Sequence, residues 1–466
     1  MDLRKPALFV TLAALLILGC AQEAKVEDIA GTWEGTLAYP GFELRMAFEI
    51  SQPPDGGLSI AVLRPDQDDD RIPATSIDYR EGRLRLEAAS LNASFEGKLR
   101  ADGSAIDGSW AQGEWTQPLV LRRVREITKR LRPQTPAPPY PYGEEEVTFE
   151  NASAQAILSG TLTLPRERVP CPAVLLVSGH GAHDRDYSIM RHKPFLVLAD
   201  HLTRLGIAVL RVDDRGVGES TGDRSEATTA DFAEDALAGV NLLVNHPRIK
   251  PSSVGIIGHS EGGTVAALAA ARSPDVAFIV MMGAPGVPGE ESNFQFEASM
   301  GRALGQSKET IEAKRAIQES VFVILKEDTD RTTKQRKLRS LYEGLEPPMP
   351  ADKIDVAVEW LSSPWVYFNI THDPGVTLRK VKCPVLAIIG GKDTHVPADA
   401  NLEAIERALG EGGNPDYGIE KLPGLNHFFQ TATTGAPSEY LMIEETLSPA
   451  ALKLISDWIL EHVNAD

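Results

Sequence analysis

Basic residues are in short supply. The 466-residue chain carries 47 Lys and Arg against 66 Asp and Glu, a formal net charge of -19 at pH 7. A field of that sign repels nucleic acid and anionic membrane surfaces, so neither is expected as an electrostatic partner. Cysteine is scarce, with three in all. An apolar run long enough to stay in a membrane is missing from the leader: Ala7 to Leu18, behind Arg4 and Lys5, is short and has the flank of a secretory signal. Length alone points to two domains, because a single core rarely keeps growing at this size.

The leader ends in Ile17-Leu18-Gly19-Cys20, which resembles the bacterial lipobox. That resemblance implies a signal peptide over residues 1–20, acyl chains on Cys20 and a membrane anchor. A plain cleaved signal with an incidental cysteine is the alternative. Ala21 stands where an aspartate would resemble an inner-membrane retention signal. The expectation is an exported, lipid-anchored protein of the bacterial cell envelope, in the outer membrane or periplasm of a Gram-negative cell.

Residues 27–125 read as β-rich, with short runs such as Phe42 to Ile50, Leu58 to Leu63 and Arg83 to Leu86 divided by Glu81-Gly82 and Asp102-Gly103 turns. This spacing predicts a small antiparallel barrel or sandwich. Gly31-Thr32-Trp33 and Gly108-Ser109-Trp110 faintly resemble lipocalin-type barrels, but a spacer or docking role is preferred to ligand binding. Residues 126–145 hold prolines at 133, 136, 138, 139 and 141 and read as a semi-rigid linker. From residue 146 to 466, strand-length apolar runs (Ala173 to Val177, Ile207 to Val212, Val254 to Ile257, Phe278 to Met282, Val385 to Ile389) alternate with amphipathic segments. That alternation predicts an α/β domain, a parallel sheet covered by helices on both faces. Residues 290–372 break the pattern with helices only, as a lid over a site would.

The strongest chemical signal is Gly258-His259-Ser260-Glu261-Gly262, between the run Val254 to Ile257 and a helical segment. A strand-to-helix turn this tight strains its central residue, and flanking glycines remove the clashing side chains. It offers Ser260 Oγ above the sheet beside the free N–H groups of a helix N-terminus, the α/β-hydrolase arrangement. A serine hydroxyl needs a base and an orienting acid, which in that fold follow in the order acid, then histidine. Asp393 follows the run Val385 to Ile389, and His427 follows the strand-like Gly418 to Leu422. Asp399 opens a helix, Asp416 precedes a strand, His462 ends a helix, and His395 is too near Asp393 to serve as its partner. The oxyanion donors are assigned to the backbones of Glu261 and His180, the latter in Ser178-Gly179-His180-Gly181. The His180 side chain either lines the pocket or faces solvent.

Residues 144–466 resemble secreted bacterial α/β-hydrolases of the esterase and serine-aminopeptidase-like group. The matching stretches are Asp184-Arg185-Asp186, His192-Lys193-Pro194-Phe195, Asp213-Asp214-Arg215-Gly216-Val217-Gly218-Glu219-Ser220, the Ser260 turn, Gly391-Lys392-Asp393 and Asn426-His427. The resemblance implies an α/β-hydrolase fold with the same triad, Ser260, Asp393 and His427, and the same oxyanion hole; acyl transfer by such a triad requires no cofactor or metal. His180 and His183 depart from it. Arg185, Asp186 and His192 are candidates for the pocket border, or a salt-bridged loop anchor. His180, His183, Asp184 and Asp186 prompt a metallohydrolase alternative, but no second histidine cluster completes a two-metal site. Cys171 and Cys383 each enter a strand; three strands apart they stand roughly 14 Å from one another, beyond disulfide reach, so two buried free thiols are expected. The expected function is hydrolysis of a small carboxylic ester. An aminopeptidase or amidase, with Glu291 and Glu297 as amine anchors, and a catalytically silent binding protein are the alternatives. Phe294, Phe296, Phe322, Trp360, Trp365 and Phe368 would supply an apolar acyl site, or merely the lid's own core.

Overall fold

A computed structural model of the chain describes residues 26–39, 42–54, 56–113, 115–167 and 169–463. Cys20 and the leader lie outside the described residues. The chain forms two compact units, Met1–Lys129 and Arg130–Asp466.

The first unit is a nine-stranded antiparallel sheet preceded by the short helix α1 (Val26–Ile29). Its strands are β1 (Gly31–Tyr39), β2 (Phe42–Ser51), β3 (Ser59–Leu63), β4 (Ile72–Pro73), β5 (Ser76–Arg80), β6 (Arg83–Ala88), β7 (Ala93–Leu99), β8 (Ala105–Gln112) and β9 (Trp115–Val124). Alternation sets the inner face: in β6, Leu84, Leu86 and Ala88 are buried while Arg83, Arg85 and Glu87 are exposed. The edge strands β4 and β5 are separated by only Ala74 and Thr75, whose amides donate to Ile60 of β3 and Glu87 of β6. The sheet therefore curls until its edges approach, giving a half-barrel. Phe48, Phe95 and Trp110 fill it, with Phe48 edge-on to Phe95 at 5.1 Å.

The second unit holds an eight-stranded sheet in the order β10-β11-β13-β12-β14-β15-β16-β17. Its members are β10 (Gly143–Asn151), β11 (Ala156–Leu164), β12 (Cys171–Val177), β13 (Ala208–Val212), β14 (Ile249–His259), β15 (Phe278–Met282), β16 (Val385–Gly390) and β17 (Tyr417–Leu422). From β13 to β17 neighbours run parallel, as expected. The antiparallel pair β10–β11 was not foreseen, and β11 joins β13 antiparallel. Glu144, Glu145 and Glu146 mask β10 as a strand because, on a sheet edge, its side chains are largely exposed. On one face lie α3 (Thr229–Val244), α4 (Glu261–Arg272), α10 (Pro374–Leu378) and α11 (Ala398–Glu411), and on the other α2 (Pro194–Arg204) and α13 (Pro449–Val463), with the short α12 (Pro437–Tyr440) preceding α13. Within β12, Ala173 and Leu175 pack under the first group, and Val174 and Leu176 under the second.

Between β15 and β16 the chain leaves the sheet for five helices: α5 (Gly289–Ala303), α6 (Lys308–Lys326), α7 (Arg331–Glu343), α8 (Ala351–Leu361) and α9 (Pro364–Thr371). Side-chain caps start three of them: Ser307, Asp330 and Ser363 accept from Thr310, Thr333 and Val366. Their own small core includes Phe322, Leu325, Leu338, Ile354 and Val358.

Two expectations need correction. The proline-rich stretch read as a linker is bonded to the second unit. The Arg132 guanidinium donates to the carbonyls of Met190, Leu441 and Ile443, and Gln134 bonds Thr446 and Leu447. Proline fixes an extended backbone there, while the side chains between prolines dock. The strand β10 then begins at Gly143, not at residue 146. Cys171 and Cys383 are both free and their strands stand three places apart, but only Cys171 is buried. Cys383 is half-buried, and burial pushes its thiol up to about 11. Replacing Arg132 by Ala strands several carbonyls that have few other donors; the second unit should lose roughly 1–3 kcal/mol, read as a lower urea midpoint.

Candidate active site

Ser260 lies between the end of β14 and the start of α4 with φ 55° and ψ −120°, left-handed backbone for a residue with a side chain. Steric contacts enforce the turn. A Cβ on Gly258 would stand 1.9 Å from the Gly262 carbonyl oxygen, and one on Gly262 would stand 2.2 Å from that of Val177. Neither position tolerates any other residue. Ser260 N–H donates to Met282 O at 2.7 Å, tying the turn to the neighbouring strand. Glu261 is the first helical residue, so its amide has no partner within the helix.

Asp393 and His427 come together as the sequence order predicts. Asp393 Oδ1 accepts the amides of His395 and Val396, each at 2.8 Å, and Oδ2 faces His427 Nδ1 at 2.8 Å. A carboxylate can only accept there, so Nδ1 carries the proton and Nε2 is left bare. Burial holds His427 well below the ordinary histidine value and pushes Asp393 up. The imidazole is thereby neutral, the form a base requires. Among the described residues Ser260 Oγ makes no hydrogen bond, a looseness common before substrate is bound.

His427 is packed on two sides by histidines. His395 stacks on it at 4.4 Å and 14°, so the neighbour set aside as a base is instead a wall of the site. His259 lies 4.7 Å away on a tilted ring. Its Nε2 faces the His427 carbonyl at 2.8 Å and must donate, which leaves Nδ1 to accept from Tyr187 Oη at 3.0 Å. Tyr187 Oη also fills the space beside Gly179, 2.6 Å from where a Cβ there would stand. One hydrogen-bonded line thus runs from the Ser178-Gly181 loop to the backbone of His427.

That loop reaches Ser260: a Cβ on Gly179 would lie 3.1 Å from Ser260 Cβ. It is fixed by groups that the sequence reading did not assign. Ser178 Oγ donates to Asp214 Oδ1 at 2.8 Å, His183 N–H donates to Asp214 Oδ2 at 3.0 Å, and His183 Nε2 donates to His180 O at 2.9 Å. Arg224 bonds both Asp214 and the Gly181 carbonyl. Asp214 stood within a quoted motif and could have been found; Tyr187 and Arg224 carried no signal. The His180 side chain is 58% exposed and rests 4.2 Å from the Trp365 ring.

The remaining candidates have other tasks. Arg185 donates to Asp213 and Glu219, each at 2.7 Å, and pairs with Glu146, forming an ion-paired anchor on β10, β11 and the loop after β13. Asp186 pairs with Lys193 and Arg211. His192 is buried, bonded to Thr446 Oγ1 at 2.9 Å and to Gln430 at 3.2 Å, and so supports the His427 loop from behind without lining it. His180, His183, Asp184 and Asp186 do not converge. Among the described residues only Asp393, His395 and His427 bring metal-competent atoms within 4.8 Å. The Asp393 oxygens there already accept three N–H groups, which accounts for the cluster by hydrogen bonding alone. Of the six aromatics of the insertion, Phe322 is in its core and Phe294 packs on it at 5.3 Å, while Trp360 is 53% exposed and Phe368 packs on the main core. Only Trp365, bonded to Glu261, and Phe296, 5.5 Å from His395, reach the site.

A mixed sheet covered on both faces, a left-handed serine at a strand-to-helix turn, and an acid and histidine at the ends of later strands define an α/β-hydrolase. Residues 169–429 match the model of the serine aminopeptidase family S33, more than half of the chain, and the protein belongs to that family of hydrolases. The chain is similar to esterase EstD of Thermotoga maritima, 27% identical over 307 residues, which are 65% of this chain and 64% of that one. The chain thus spans less than two thirds of that relative's length. It is 25% identical over 262 residues to an uncharacterised 31.7 kDa protein of Escherichia coli, covering 55% of this chain and 84% of that one. Among solved structures, Est1E of Butyrivibrio proteoclasticus with ferulic acid bound aligns over 68% of this chain and 99% of its own, at 17% identity and a TM-score of 0.40.

Burial lowers His192 and His395 to about 4 and His259 to about 3 from an ordinary 6.5. Between those values and 6.5 the unfolded chain binds more protons than the folded one, so the contribution of these histidines is full above pH 6.5 and is lost as pH falls. Urea midpoints should therefore drop between pH 7 and pH 5, and His192→Asn should flatten that drop.

Proposed function

We propose that the chain hydrolyses carboxylic esters through an acyl-enzyme on Ser260. Ser260 Oγ attacks the ester carbonyl while His427 Nε2 takes its proton, and the same histidine then protonates the departing alcohol. Water, deprotonated by His427, attacks the acyl carbon and releases the acid. Asp393 keeps Nδ1 protonated and stabilises the imidazolium. The amides of Glu261 and His180 receive the charged oxygen, each at a cost of roughly 3 kcal/mol in barrier if lost. The single observation carrying the reading is the left-handed Ser260 beside the Glu261 amide, which has no partner within its helix, on the sheet end that also bears the Asp393–His427 pair. No metal or cofactor enters the scheme.

The ester is preferred to the amide because the anchors an aminopeptidase needs are occupied elsewhere. Glu297 pairs with Lys314 at 3.4 Å, and Glu291 accepts from Gln295 at 3.1 Å. The name of the Thermotoga maritima relative favours the same side. We also propose that the helical insertion acts as a lid, and that acyl chains on Cys20 hold the exported enzyme in the cell envelope.

A fluorophosphonate probe should label the wild-type protein and not Ser260→Ala; an unlabelled wild type would make it a silent binding protein. Asp393→Asn should lower kcat on the order of 10⁴-fold by spoiling the tautomer. p-Nitrophenyl esters should be cleaved in preference to aminoacyl anilides, and the reverse order would make it an aminopeptidase. Cys20→Ser should move the protein from the detergent phase to the aqueous phase on partitioning; equal partitioning of the two would remove the anchor.

A further inference from the structure

Glu261 has a carboxylate that the proposed chemistry leaves unused, since only its amide serves the oxyanion. That side chain is 9% exposed and sits beside the reacting serine. Its partners come from three separate parts of the chain. Thr229, the first residue of α3, donates from Oγ1 to Oε1 at 2.6 Å. Trp365, on insertion helix α9, donates from Nε1 to the same oxygen at 2.7 Å. His180, in the loop that holds the second oxyanion amide, has Nδ1 3.8 Å from Oε2. Burial pushes the carboxyl up, but the side chains of His180, Thr229 and Trp365 outweigh it and hold the group below its ordinary value.

We propose that Glu261 is a positioning residue that locks α9 against the oxyanion turn, and that the Trp365–His180 ring pair it holds is the wall selecting the acyl group. The proposal rests on the ester-hydrolase reading. Glu261 is the next residue after Ser260, and a Cβ on Gly179, the neighbour of His180, would lie 3.1 Å from Ser260 Cβ. An acyl group on Ser260 Oγ therefore forms within reach of the pair of rings, 4.2 Å apart and inclined at 31°. A half-exposed indole against an imidazole offers a flat apolar surface that stacks on a ring better than it packs an extended alkyl chain. The class of substrate that fits is an ester whose acyl part carries an aryl or other planar group.

The carboxylate binds two elements at once, so its loss acts differently from loss of the ring. Without Glu261's oxygens, the turn carrying the oxyanion amide loses its tie to α3 and α9, and every ester suffers in kcat. Without the indole, its bond to Glu261 goes and lowers kcat on every ester, but the wall goes too, so esters with a planar acyl group suffer further, chiefly in KM.

The test compares wild type, Glu261→Ala, Glu261→Gln, Trp365→Phe and Trp365→Ala on p-nitrophenyl acetate and p-nitrophenyl benzoate, after fluorophosphonate titration has counted competent sites. Failure of the wild type to titrate removes the ester reading and the proposal with it. With titration intact, Trp365→Ala should lower the benzoate-to-acetate ratio of kcat/KM about tenfold, mainly through KM, and Trp365→Phe should largely keep that ratio. Glu261→Ala should lower kcat about tenfold on both esters, and Glu261→Gln, whose amide oxygen still accepts from Thr229 and Trp365, should recover most of it. A ratio within twofold of wild type in Trp365→Ala overturns the wall. Wild-type kcat in Glu261→Ala overturns the lock; if that variant does not fold, Trp365→Phe, which removes the indole N–H with its five-membered ring but keeps an aromatic face, reads the same bond through a several-fold fall in kcat on both esters.

Discussion

The structure of the site depends on a backbone conformation that Ser260 would not choose. A left-handed residue with a side chain costs roughly 1–3 kcal/mol and persists only where its surroundings over-determine it. Here they do. β14 is an interior strand with parallel partners on both sides, α4 starts with Ser260 alone intervening, and two glycines leave no room for another path. Once that turn is fixed, so is the end of the sheet at which chemistry can occur. Gly179, Met282 and the loops after β16 and β17 are adjacent because parallel strands end on the same side.

The second layer of the site is a set of hydrogen bonds whose directions follow from donor inventory. A carboxylate on His427 Nδ1 and a carbonyl on His259 Nε2 leave each ring one assignable tautomer. The two histidines that flank His427 are themselves held neutral by burial. They pack the base without placing positive charge beside it. The loop opposite is held through Asp214, a carboxylate accepting from Ser178 and His183 while Arg224 supplies the counter-charge. In the proposed mechanism, rigid surroundings of this kind would let donors wait at the place where charge develops.

The helical insertion is a small structure with its own core, and it contacts the site at few points. Trp365 meets Glu261 on the side of the oxyanion turn, and Phe296 meets His395 on the side of the base. Gln295 also accepts from Asn401 at the start of α11. Such sparse attachment is compatible with the lid role proposed for the insertion.

The strained turn at Ser260 and the Asp393–His427 pair were legible in the sequence because each residue sits at a strand end, and strand ends are marked by apolar runs that stop at glycine or a polar residue. The parallel core and the insertion were legible for the same reason: periodicity is local. The β10–β11 hairpin was hidden by three glutamates on an edge, and the docking of the proline-rich stretch by side chains whose partners lie some 300 residues away in Leu441 and Ile443. His395 beside the base, Tyr187 against Gly179 and the Glu261–Trp365 bond belong to the same class. The sequence by itself determined the fold class, the strained serine and the order of its partners, because those are written in short-range steric and hydrophobic patterns. Only the tertiary structure decided which side chains pack around them, because hydrogen bonds and ring contacts between distant segments leave no periodic trace in the chain.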